Sequence, residues 1–79
     1  MEFLGKKLKW LRTQQGLTQQ AVAQKVGISR SSYAYYEVGK THPLFLTLLK
    51  LARFFQVRVE YLIDDNLWVD GRPMDAVDL

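Results

Sequence analysis

Between a series of glycine and proline marks (Gly5, Gly16, Gly27, Gly39, Pro43, Gly71, Pro73), the apolar residues of this chain recur at helical intervals. Leu4, Leu8 and Leu11 stand at i, i+4 and i+7, one stripe of an amphipathic helix that Gly16 can end in a left-handed cap. Thr18 is a candidate N-cap for a second helix, whose stripe of Val22, Ala23 and Val26 runs to Gly27. Ser29 is placed to cap a third, short helix through Val38, stopped by Gly39. After Pro43, the run from Leu44 to Phe55 is apolar nearly all round, which predicts a central helix packed on several sides. Val57, Val59 and Leu62 follow. Their alternation would also fit a strand, but every other element is helical, and the segment predicts a final short helix that cannot stand alone. The expectation is an all-α body of five short helices.

Within this pattern, Gln19 to Val38 reads as two short helices joined at Gly27, a turn that accepts positive φ at low cost. Ala23, four residues earlier, is small where two steeply crossing helices need a small side chain. Val22, Val26, Ile28, Tyr33 and Tyr36 are the positions that lock the pair to the core. A second helix held this way stands clear of the body and can enter a DNA major groove.

Composition narrows the picture. Seventy-nine residues allow one domain, which buries only about 60% of its unfolded surface. A hydrophobic content of 48% and a charged content of 24% argue against disorder. The absence of cysteine excludes disulfides and thiolate zinc sites, and His42 has no neighbours in sequence to complete a metal site. No Gly-rich phosphate loop is present and no acid is spaced to pair with His42, so no enzyme and no cofactor are predicted. No apolar run approaches the ~20 residues of a membrane span and Met1-Glu2-Phe3 opens no signal peptide, which predicts a soluble cytoplasmic domain.

The net charge of +3 is divided. Residues 1–63 hold ten of the eleven Lys/Arg and three of the eight acids, a net +7. Residues 64–79 hold five aspartates and Arg72, a net −4. A basic body attracts polyanions, nucleic acid the commonest among them, although a solvated basic surface has the same composition. The two parts are expected as a DNA-binding domain over 1–63 and an acidic extension over 64–79, serving dimerisation or lying as a frayed tail.

The residues Leu4-Gly5, Leu8, Leu11-Arg12, Gly16-Leu17-Thr18-Gln19, Ala23, Gly27-Ile28-Ser29, Tyr36-Glu37, Gly39-Lys40, Pro43, Leu48, Ala52, Val57 and Leu62 together resemble the phage-repressor-like helix-turn-helix family, the Cro/CI or xenobiotic-response-element type. The resemblance covers roughly three quarters of the chain and implies a five-helix domain, usually a homodimer, that binds double-stranded operator DNA to control transcription. It implies base-reading roles for Arg30, Ser31, Ala34 and Tyr35, and phosphate contacts for Gln19, Ser32 and Lys40. It further implies an ion pair of Arg12 with Glu37. The chemistry of these side chains agrees. Arg30 can offer a two-pronged donor to guanine or clamp a phosphate, while Ala34 and the Tyr35 ring can meet a thymine methyl. No groove-facing position carries Asn or Gln, so sequence preference is expected to lean on Arg30 and on DNA shape. Tyr33 and Tyr36 belong to the core face, and Lys6, Lys7 and Lys9 to a solvated one. The same domain type also serves antitoxins and coactivator-like adaptors, which leaves a protein-interaction module as the alternative function.

The chain departs from the family pattern in places. Leu44 stands where a polar cap often follows the proline, Gln56 where many members have Gly, and Arg58 where a small polar cap is usual. Trp10 sits opposite the Leu4-Leu8-Leu11 stripe, where the family has a polar residue. The tail offers Leu67-Trp68-Val69, an Asp70-Gly71 turn and Arg72-Pro73-Met74, a small hairpin in which proline limits the return strand to an edge. Residues 66–74 are expected to pack on the body or on a second subunit, burying Trp68 with Trp10 or with the last helix.

Overall fold

The second and third helices end where the chain supplies local chemistry to end them. A computed structural model of the chain describes residues 3–73, in the order α1 (Leu4–Gln14), α2 (Gln19–Val26), α3 (Arg30–Val38), α4 (Phe45–Phe55), α5 (Val59–Ile63), a 3-10 turn (Asp65–Leu67), β1 (Trp68–Val69) and β2 (Arg72–Pro73). Thr18 caps α2, its hydroxyl accepting from the Ala21 amide at 3.0 Å, and Ser29 caps α3 in the same way from Ser32 at 3.0 Å. Gly27 and Gly39 close those two helices at φ 83° and 78°, in the left-handed region. No side chain caps α4 at Leu44 or α5 at Arg58, and α4 ends on Gln56 at φ 59°.

The core is one cluster: Leu4, Leu8 and Leu11 of α1, Val22, Ala23 and Val26 of α2, Tyr33 of α3, and Leu48, Leu51, Ala52 and Phe55 of α4. Val57, Tyr61 and Leu62 complete it. Three features differ from the sequence expectation. Gly5 is no boundary; it lies buried in the first turn of α1, where a Cβ would fall 2.1 Å from the Glu37 carbonyl oxygen. Only glycine lets α1 and α3 close this far. Lys7, assigned to a solvated face, is 3% exposed: its ammonium donates to the Leu62 carbonyl at 3.2 Å and pairs with Asp65. A buried amine persists because a carbonyl and a carboxylate, both from the far end of the chain, satisfy it. The fourth helix is not packed on all sides either: Leu44, Phe45 and Leu46 are 81%, 58% and 72% exposed, because α2 and α5 cover only its other face.

The hairpin pairs Trp68 with Pro73 and Val69 with Arg72 around Asp70-Gly71; Met74 lies outside the described residues. Trp68 meets Trp10 edge to face, centroids 5.9 Å apart, and its indole N–H donates to the Tyr61 carbonyl of α5. No helix among the described residues is long and apolar enough to cross a membrane.

Candidate nucleic-acid interface

The rear of α3 is fixed by charge as well as by packing. Glu37 and Arg12 form a two-pronged pair, Nε to Oε2 at 2.7 Å and Nη2 to Oε1 at 3.0 Å. Arg12 also donates through Nη1 to the Leu17 carbonyl at 2.9 Å, tying the turn before α2 to the same centre. The amide nitrogen of Gln19 donates to Glu37 Oε1 at 3.1 Å. Burial alone would raise the Glu37 carboxyl, but its polar surroundings, the Arg12 guanidinium foremost, outweigh it and hold the group below the ordinary carboxylate range. The hydrogen bond to Glu37 raises the Arg12 guanidinium further still. Three helices therefore meet on one carboxylate.

Tyr33 sits wholly buried beside this centre. Burial pushes its phenol well above the usual value, and its hydroxyl is the buried side-chain polar atom among the described residues left without a hydrogen-bond partner. The ring fills space and the oxygen is tolerated next to the ion pair.

The other side of α3 is open. Arg30 and Ser31 are exposed at its first turn, Ala34 is half-buried, and Tyr35 is 42% exposed one turn on. Helical spacing places these four on a single arc, and Val38, 75% exposed, falls at its centre. Sequence reasoning treated Val38 only as a helix end, although its spacing of four from Ala34 marks the shared face. Lys40 follows the cap, its amide donating to the Tyr35 carbonyl at 2.9 Å while its ammonium lies 4.6 Å from the Tyr35 ring centroid. Ser32 is half-buried and accepts from the Ser29 hydroxyl at 2.9 Å, which leaves its own proton to donate. Gln19 is held to Glu37, so one amide N–H remains for an outside acceptor. Arg30, Ser31, Ala34, Tyr35 and Lys40 thus share a surface, with Ser32 and Gln19 partly committed within the protein. Among the described residues no cluster of His, Cys, Asp or Glu could hold a metal ion.

Two helices crossing at a left-handed glycine, with the second locked behind and bare in front, match the helix-turn-helix family pattern over residues 8–62. The chain belongs to the helix-turn-helix family. It is 41% identical over 59 residues to an SPbeta prophage-derived HTH-type transcriptional regulator of Bacillus subtilis, a match covering 75% of this chain and 55% of that one. A second regulator, from Methanocaldococcus jannaschii, is 41% identical over 62 residues, covering 76% of this chain and 94% of the relative. The chain spans about half the length of its Bacillus relatives, 55% and 48%. In three dimensions it resembles the P22 c2 repressor solved in complex with a synthetic operator, with a TM-score of 0.74 and 26% identity over 78% of this chain and 94% of that one.

Proposed function

We propose that this helix-turn-helix protein is a sequence-specific DNA-binding transcriptional regulator, most simply a repressor, that acts as a homodimer with α3 in the major groove. One observation carries the reading: the face of Arg30, Ser31, Ala34 and Tyr35 is presented outward while the opposite face of the same helix is anchored by Tyr33 and Glu37. A rod fixed from behind loses little entropy when its front meets base edges. The likeness to a repressor bound to its operator supports the same docking. Arg30 reads guanine or clamps phosphate, Ser31, Ala34, Tyr35 and Val38 shape the apolar and polar contacts, and Gln19, Ser32 and Lys40 hold the backbone. The exposed Leu44, Phe45 and Leu46 supply an apolar surface for a second copy.

Selection of bound duplexes from random DNA tests the reading. A symmetric motif with half-sites about 34 Å apart is expected. Replacing Arg30 with Ala should cost about 1–3 kcal/mol on that motif and relax selectivity, whereas loss equal on all sequences would reassign Arg30 to phosphate. No enrichment at all would refute the function.

A further inference from the structure

A second surface of unusual composition lies away from α3. The third helix packs on α1 and α2, whereas α4 packs on α2 and α5, so the α2–α4 seam opens on a different side of the molecule. Lys25 and Val26 from α2, with Lys50, Arg53 and Phe54 from α4, line an open depression there of about 480 Å³. Its floor is apolar: Val26 is buried, and Phe54 is half-buried with its ring edge-on to Phe55 at 5.0 Å. Its rim is three exposed cations with no acid among the lining residues. None of the three forms an ion pair among the described residues; the ion-paired acids, Glu37 and Asp65, are taken by Arg12 and Lys7.

Three like charges around one hollow repel each other, and carboxylates brought to the rim relieve that repulsion. Carboxylates alone would leave the exposed part of the Phe54 ring wet. An occupant that satisfies both parts has an apolar side chain flanked by acids. Duplex DNA offers phosphates but keeps its apolar faces stacked. We propose that the α2–α4 seam docks an acidic segment of a partner protein, with one aromatic or aliphatic side chain seated on Val26 and Phe54 and its flanking carboxylates on Lys25, Lys50 and Arg53.

The test titrates the isotopically labelled chain with a synthetic peptide, Asp-Glu-Phe-Asp-Glu-Leu-Asp-Glu, following amide shifts. A second peptide with Ser in place of Phe and Leu and a single-stranded oligonucleotide serve as comparisons. Saturable binding with shifts at Lys25, Val26 and Lys50 to Phe54 is expected. Affinity should fall about tenfold for the Ser peptide and about tenfold for the K50Q/R53Q variant. The K6Q/K9Q variant removes the same charge from α1 and should bind as the parent does. Failure to saturate, shifts confined to the α3 face, equal binding of both peptides, or equal losses in the two variants would overturn the proposal. So would displacement of the peptide from the seam by the oligonucleotide, which would make it a nucleic-acid site. A change in self-association on K50Q/R53Q substitution would assign it to a second copy instead.

Discussion

Glu37 is the residue on which most of the architecture behind the interface converges, and its surroundings make opposed demands. It is 4% exposed, so its charge is tolerable only while Arg12 and Gln19 donate to it. Replacing Arg12 with Ala should therefore destabilise the fold by about 3–5 kcal/mol, a large share of what a domain this size possesses. Removing both charges with apolar residues, Arg12→Met with Glu37→Leu, should cost less than Arg12→Ala alone; chemical denaturation of the variants measures the difference. The pH dependence has a definite sign. Because the folded Glu37 carboxyl stands below its ordinary value, its contribution is complete above the unfolded pKa of about 4.3 and is lost as pH falls through the folded one. Asp65, held down by Lys7, acts in the same direction. Denaturation midpoints should fall below pH 5, and less steeply in Glu37→Gln than in the parent. The positions of Arg12 and Glu37 were legible through family resemblance, whereas the burial of Lys7 was not: its partners, Leu62 and Asp65, lie 55 and 58 residues away, beyond the reach of local periodicity.

At the level of elements, the helices with chemical caps were the ones whose limits the sequence made plain. Thr18, Ser29, Gly27 and Gly39 each do a local job that needs no tertiary partner, so α2 and α3 could be bounded by inspection. The fourth helix differs. Leu44 provides no cap bond, and nine apolar residues from Leu44 to Phe55 say that a face is buried without saying which. Only the placement of α2 and α5 decides that Leu48, Leu51, Ala52 and Phe55 go inside while Leu46 stays out. At the far end of α4, Gln56 adopts φ 59° and ψ 41°, a conformation that disfavours any side chain with a Cβ. Gln56→Gly should relieve that strain and stabilise the fold by about 1 kcal/mol, raising the melting temperature by roughly 4–8 °C. An unchanged or lower melting temperature would mean that the Gln56 side chain contributes more than its backbone costs.

Across the whole molecule, the division between a basic body and an acidic extension acquires a physical form. Residues 64–73 fold back on α1 through Lys7 with Asp65 and Trp10 with Trp68, and on α5 through the Trp68 indole and the Tyr61 carbonyl, so part of the negative charge is neutralised against the body. In the proposed dimer, two such positive surfaces should release counterions from DNA. With about three phosphates neutralised per subunit, log K against log salt should fall with a slope near −5. A slope near zero would show that charge contributes nothing to binding. A chain that stays monomeric on the DNA should show about half that slope.

The most direct test of the central claim is to map amide shifts of the labelled protein on adding a duplex recovered by selection. The largest changes should fall on Ser29 to Tyr35, Lys40 and the first turn of α2, with α5 and the hairpin little affected. Changes centred on α4 or on the hairpin, with α3 unmoved, would contradict the account.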